Sequence, residues 1–289
     1  MLRKNPCLTY RGQKVPAKGH DIDWNEVASK YHSYILGPFA KEMVCKDKKI
    51  GKIRNELLNY LSSIPDEKLK GMEIADFGCG PGNIIEHLKG RVSRLTGIDK
   101  SGAALKIAST SARKNGIVFT ACRNDLKKVK LNRQFDLIIS VNSILPKERK
   151  DVVPILEGIR EHLKSDGELL AILPSYDTTK YLRKLLKKYY VSFYKDKRQA
   201  EETLRTFAKM KKVDDTKCAY ADDGKIQQCY HTPKTIKHEF KKAGLKIIGE
   251  PKKVYYPWDL TRKFDYGYFP EAKEEIWDWF VVAKRAEKS

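Results

Sequence analysis

The 289-residue chain has no apolar run long enough for a bilayer span, which takes about 18 or more consecutive apolar residues. Met1-Leu2-Arg3-Lys4-Asn5-Pro6 lacks the apolar core of a secretory leader, so a cytoplasmic location and no membrane partner are expected. The six cysteines, at positions 7, 45, 79, 122, 218 and 229, include no C-x-x-C pair and have no histidines at zinc spacing, so no metal site is expected. A two-residue Asp223-Gly224 turn would set Cys218 opposite Cys229 across a hairpin. They would form a hydrogen-bonded pair with Cα atoms about 5.5 Å apart; a reducing compartment favours thiols, and free cysteines are expected there. Arginine, the residue suited to bidentate phosphate contacts, is sparse beside lysine. The net charge of +21 still keeps nucleic acid as a candidate partner, although lysine spread along a chain reads first as a solvated surface.

Two nucleotide signatures are missing as well. No Lys-Ser or Lys-Thr pair follows a glycine loop, which argues against a Walker ATPase or GTPase. The dinucleotide fingerprint G-x-G-x-x-G fails too, because Asn83 stands where the third glycine belongs and Gly82 comes one place early. What is present is Asp76-Phe77-Gly78-Cys79-Gly80-Pro81-Gly82-Asn83, three glycines at alternate positions between an apolar run and a helical pattern. Glycine admits torsions that a Cβ forbids and lets backbone N–H groups come close to a ligand. A loop so placed lies at the carboxyl edge of a sheet, where open α/β folds bind ligands. A second apolar run, Leu95-Thr96-Gly97-Ile98, delivers another acid, Asp99, at the next strand end.

The pattern along the chain divides it into segments. Residues 1–20 mix basic residues, glycine and proline without periodicity and read as a flexible basic arm. Residues 21–64 read as N-terminal cap helices: Trp24, Val27, Ala28, Tyr31, Tyr34 and Ile35 recur at helical spacing, then Ile50, Ile53, Leu57, Leu58 and Leu61. Residues 65–174 alternate strands, at 72–77, 94–98, 117–121, 135–141 and 168–174, with helices near 82–90, 101–114 and 151–163. That alternation predicts a parallel sheet covered on both faces. Residues 175–232 read as an insertion, with two amphipathic helical stretches to about 212 and then the hairpin. Leu182, Leu185 and Leu186 share its apolar stripe, opposite Lys180, Arg183, Lys184, Lys187 and Lys188. Residues 233–289 complete the core, opening on Thr232-Pro233 as N-cap and first helical residue and closing with strands through Leu245–Ile248 and Trp277–Ala283.

The stretch Asp76 to Gly82 resembles motif I of the class I S-adenosylmethionine-dependent methyltransferases, D/E-x-G-x-G-x-G, and satisfies it in full. Asp99 in Gly97-Ile98-Asp99-Lys100-Ser101 stands where that family holds the ribose hydroxyls, and Asp125 in Cys122-Arg123-Asn124-Asp125-Leu126 where it meets the adenine amine. Phe135-Asp136-Leu137-Ile138-Ile139-Ser140-Val141-Asn142 has the form of the family's fourth strand. The resemblance implies a Rossmann-like α/β fold, a seven-stranded, mostly parallel sheet with helices on both faces, cap helices and a lid inserted after strand five. It implies S-adenosyl-L-methionine as cofactor, held by Asp76, Gly78, Cys79, Gly80, Gly82, Asp99, Lys100, Asn124, Asp125, Leu126, Val141, Asn142 and Tyr31. The chemistry suits these residues independently, since a carboxylate accepts two strong hydrogen bonds from a vicinal diol.

The implied activity is methyl transfer to a small molecule or single side chain enclosed by the lid. An RNA methyltransferase using the basic arm and the Lys-rich face of the lid, and a noncatalytic cofactor-binding partner subunit, are the alternatives. Positioning alone contributes much to such a displacement, and a base is needed only for a protonated acceptor. The candidates for catalysis are Tyr31, His231, read as an ordinary surface residue at the hairpin end, and Tyr256 in the aromatic C-terminal segment. Asn-Pro-Pro-Tyr and Pro-Cys are both absent after strand four, which argues against exocyclic-amine and C5-cytosine methylation.

Overall fold

The computed structural model describes residues 54–194, 196–207, 212–222, 225–256 and 276–287. The basic arm, most of the expected cap-helix segment with Tyr31 and Tyr34, and the Asp223-Gly224 turn lie outside the described residues.

Helix α1 (Glu56–Ser63) begins where Asn55 Oδ1 accepts from the N–H groups of Leu57 and Leu58 at 3.0 and 3.2 Å, satisfying donors that a helix start otherwise leaves orphaned. Its buried Leu57, Leu58 and Leu61 and the short α2 (Asp66–Gly71) lie against one face of the sheet. There follow β1 (Ile74–Phe77), α3 (Ile85–Leu88), β2 (Arg94–Asp99), α4 (Gly102–Lys114), β3 (Val118–Arg123), β4 (Phe135–Val141), α5 (Val152–Glu161) and β5 (Leu163–Pro174). The inserted region holds α6 (Tyr176–Tyr194), α7 (Lys197–Phe207) and the strands β6 (Lys212–Asp214), β7 (Ala219–Asp222) and β8 (Lys225–Cys229). The expected hairpin is thus two strands of a separate antiparallel sheet of three. The chain returns through α8 (Pro233–Lys242), β9 (Leu245–Ile247), β10 (Lys252–Tyr255) and β11 (Trp277–Arg285).

The main sheet runs β10-β11-β5-β4-β1-β2-β3, with β9 also pairing β11. Strands β3, β2, β1, β4 and β5 are parallel and β11 is antiparallel, so the expected Rossmann-like architecture is observed. It counts eight strands rather than seven because the sixth is interrupted: β9 and β10 pair the same edge of β11 but are separated by Gly249, at φ +75, and Pro251. Proline has no N–H to give a ladder, and a left-handed residue turns the strand out of register.

Strand alternation divides the core. Leu170 and Ile172 of β5 pack with α1, α4 and α6 on one face, while Leu169, Ala171 and Leu173 pack with α5 and α8 on the other. Consecutive strand residues point to opposite faces, so a strand covered by helices on both sides is apolar throughout.

Candidate active site

The strand order reverses beside β1. Its successors β2 and β3 build outward on one side, and β4 and β5 on the other, which opens a crevice at the carboxyl ends of β1 and β4. The glycine loop leaves β1 there. Gly78 and Cys79 donate their N–H groups to the Ile98 carbonyl at 2.7 and 3.0 Å, fastening the loop to β2. Gly78 has φ +81, and a Cβ there would come within 2.2 Å of Ser143 Cβ. Glycine at 78 therefore lets β1 and the segment after β4 close on each other. Asp99 braces the loop from the next strand: Oδ2 accepts from the Gly80 N–H at 2.9 Å and Oδ1 from Ser101 N–H at 2.8 Å. An ionised carboxylate has about four acceptor sites, so Asp99 keeps capacity for a ligand diol.

A cavity of about 440 Å³ occupies this crevice, inside the roughly 300–1,000 Å³ range of small-molecule sites. Asp76, Gly78, Cys79, Gly80, Asp99, Lys100, Asn124, Asp125, Leu126, Val141 and Asn142 all line it. Gly82 does not line it: a Cβ at 82 would meet Ile85 Cδ1 at 2.4 Å and Ala108 Cα at 3.1 Å, so this glycine packs α3 and α4 together. Asp125 Oδ1 accepts from the Lys127 N–H at 3.0 Å, shaping the turn after β3.

Further residues, outside those the motifs assign to the cofactor, also line the cavity. Ser143 lines the cavity and donates its hydroxyl to the Phe77 carbonyl at 2.7 Å, joining the exits of β1 and β4. Ser101 caps α4, accepting from the Ala104 N–H at 3.1 Å, a signal present in the sequence as a serine just before a helical pattern. Leu145, Pro146 and Gln228 bring the loop after β4 and the insertion to the cavity. The insertion is fastened there by the Cys229 N–H, which donates to the Pro146 carbonyl at 3.0 Å.

The electrostatics concentrate at the β1 and β4 ends. Asp76 is buried, and desolvation together with the nearby Asp99 pushes its pKa up to about 8. Burial also raises the Cys79 thiol, so it is no nucleophile at neutral pH. Asn142, at the end of β4, has a left-handed backbone at φ +50. Its Nδ2 donates to Asp278 Oδ2 at 3.2 Å, while its Oδ1 is buried without a partner. Asn is among the few residues that tolerate this region.

Two catalytic candidates lie elsewhere. His231 is fully buried rather than on the surface: its Nε2 bonds the Ile144 carbonyl at 3.1 Å and its Nδ1 faces Glu239 at 3.6 Å, because the chain crosses beneath the loop after β4 on its way to α8. Tyr256 is buried beside β11 and gives its hydroxyl to Asp278. Neither lines the cavity. The expected Cys218–Cys229 facing is corrected too. A bulge between the pairs Tyr220–Gln228 and Ala221–Ile226 shifts the register by one, so Ala219 opposes Cys229, and both cysteines are free thiols.

Residues 74–167 match the methyltransferase domain family. The ubiquinone biosynthesis O-methyltransferase of Rickettsia akari (strain Hartford) is 25% identical over 133 residues, covering 46% of this chain and 51% of that protein. Its counterpart in Rickettsia felis is 25% identical over 132 residues, covering 46% and 52%. The chain thus spans about half the length of the curated relatives it matches. Among solved structures, magnesium protoporphyrin IX methyltransferase from Synechocystis PCC 6803, with bound S-adenosylhomocysteine, superposes with TM-score 0.51 at 14% identity, covering 81% of each chain. An S-adenosylmethionine-dependent methyltransferase from Methanosarcina mazei superposes with TM-score 0.51 at 16% identity, covering 80% of this chain and 98% of that one. At such identities these likenesses concern the fold. Motif, topology and profile match agree on one statement: residues 74–167 match a methyltransferase domain and lie in a Rossmann-like sheet.

Proposed function

We propose that the protein is an S-adenosylmethionine-dependent methyltransferase whose acceptor is a small molecule or a single side chain enclosed by residues 175–232. The observation that carries this reading is the convergence of Gly78, Gly80, Asp99 and Asp125 from three strand ends on one cavity of about 440 Å³. Gly80 tests the fit: it lines the cavity at φ +52, and a Cβ built on it meets no atom within 4 Å, so the bare backbone leaves space at the wall.

In this reading Asp99 accepts from the ribose diol, and Asp125 with the Leu126 N–H reads the adenine edge. Asp76 and Asn142 stand at the amino-acid end. When bound, the cofactor supplies a sulfonium-activated methyl group for in-line displacement. The protein's part is to orient the two reactants and exclude water, an effect worth on the order of 7–11 kcal/mol when the alignment is good. Gln228 and the Pro146 segment would wall the acceptor side. The names of the Rickettsia relatives favour a hydroxyl oxygen on a small molecule as acceptor.

Charge compensation speaks against the RNA alternative. On the Lys-rich face of α6, Lys180 pairs with Asp215 at 2.9 Å, and Arg183 and Lys187 pair with Glu201 at 3.4 and 2.5 Å. Calorimetry with S-adenosylhomocysteine tests the reading. Saturable binding is expected, weakened about tenfold or more in Asp99→Ala, which loses charge-assisted bonds worth about 1.5–3 kcal/mol. No binding by the wild type would overturn it. Transfer of labelled methyl to a panel of hydroxylated aromatics then identifies the acceptor class.

A further inference from the structure

Behind the β4 end of the cavity lies a buried acid that none of the cofactor motifs includes. Asp278, the second residue of β11, is 7% exposed. It accepts from the Ser175 N–H at 3.1 Å, from Asn142 Nδ2 at 3.2 Å and from the Tyr256 hydroxyl. The Asn142 carboxamide turns its nitrogen to Asp278 and its oxygen away. That oxygen is buried and unpartnered, in a residue that lines the cavity and holds a left-handed backbone. A buried carbonyl without a partner is unfavourable, and backbone strain concentrates where surroundings hold a residue for a function. Both costs fall on Asn142.

We propose that Asp278 is a positioning residue: it fixes the Asn142 carboxamide with the oxygen available as acceptor for a cationic N–H donor of the ligand. On the methyltransferase reading, upon which this rests, the donor is the ammonium of the cofactor's amino-acid end. A carbonyl oxygen takes a donor, and a charged N–H is the stronger donor to it, although Lys100, Lys127 and Lys147 also line the cavity. Asp76 lines the same cavity and Asp278 stands behind Asn142; both carboxyls are raised by burial, and Asp76 also by Asp99. Of the groups packed around Asp278, His231 lowers its pKa, as do the bonds from Tyr256, Ser175 and Asn142, yet burial prevails. A ligand cation would favour the ionised form of each.

The test is calorimetry on the full chain with two probes: S-adenosylhomocysteine, which carries the ammonium, and 5′-methylthioadenosine, which lacks the whole amino-acid end. An asparagine at 278 can donate to Asn142 Oδ1 and release the carboxamide from its fixed orientation. Asp278→Asn is therefore expected to weaken S-adenosylhomocysteine about tenfold or more, the loss of a hydrogen bond to a charged group, and to leave 5′-methylthioadenosine unchanged. The exchange N142D/D278N turns the new amide nitrogen toward a carboxylate at 142, restores an outward oxygen, and is expected to recover the affinity. Unchanged S-adenosylhomocysteine binding in Asp278→Asn, equal loss for both probes, or failure of a folded exchange variant to recover would overturn the proposal. A wild-type protein that binds neither probe overturns the cofactor reading itself.

Discussion

Gly78, Gly80 and Gly82 share one motif and a positive φ but meet different surroundings, so alanine should separate their roles. Any L-residue in this region pays about 1–2 kcal/mol. Gly80→Ala should pay little more than that and keep its fold, since no atom lies within 4 Å; its loss should appear in S-adenosylhomocysteine affinity measured by calorimetry. Gly78→Ala adds a clash at 2.2 Å with Ser143, and Gly82→Ala one at 2.4 Å with Ile85, so both should lower the thermal midpoint well beyond Gly80→Ala. Asp76 gives a pH signature. Its pKa rises from 3.8 to about 8 on folding, so the folded protein holds a proton that the unfolded chain has released across that interval. Its contribution to stability is therefore greatest at acid pH and is lost as pH climbs to about 8. Urea midpoints at successive pH values should fall less steeply in Asp76→Asn, which keeps the neutral shape; identical slopes would refute the assignment.

At the scale of elements, the most legible was α8. Thr232-Pro233 announced its start, and the structure adds a reciprocal box: Thr232 Oγ1 accepts from the Thr235 N–H at 3.2 Å, and Thr235 Oγ1 from the Thr232 N–H at 2.9 Å. Thr232→Ala should cost about 1 kcal/mol, within the range of 0.5–2 for lost caps, read as a shift in urea midpoint without a change in ligand affinity. Less legible were the bulge in β8 and the break between β9 and β10. Both are registry events, fixed by what a strand pairs with rather than by its own composition. For the same reason Cys218 and Cys229 were expected face to face and were found offset by one residue.

For the whole molecule, the net charge of +21 is the property most easily mistaken for a function. Described lysines and arginines are repeatedly matched by nearby acids: Arg133 and Arg94 share Glu73, Arg149 meets Glu239, and Lys284 meets Glu168. A protein that neutralises 6–10 phosphates loses about 10³–10⁵ in affinity between roughly 50 and 200 mM salt. On the proposed reading, methyl transfer to the acceptor should instead change by less than about threefold over that interval, since an enclosed small acceptor would release few counterions. A steep log–log slope in KM would favour an extended polyanion.

The sequence alone determined the glycine loop and the strand-end acids that line the cavity, because their determinants are local: glycines at alternate positions, an acid closing each of these strands, and apolar runs alternating with helical patterns. It did not reveal that His231 is buried, that Ser143 locks Gly78, or that Asp278 reaches Asn142 across 136 positions. Those relations depend on which strands become neighbours and on what is then shut away from water. Only the assembled sheet brings the start of β11 within reach of the end of β4, across the end of β5, and only burial makes an unpaired carboxamide oxygen costly enough to carry information about a ligand.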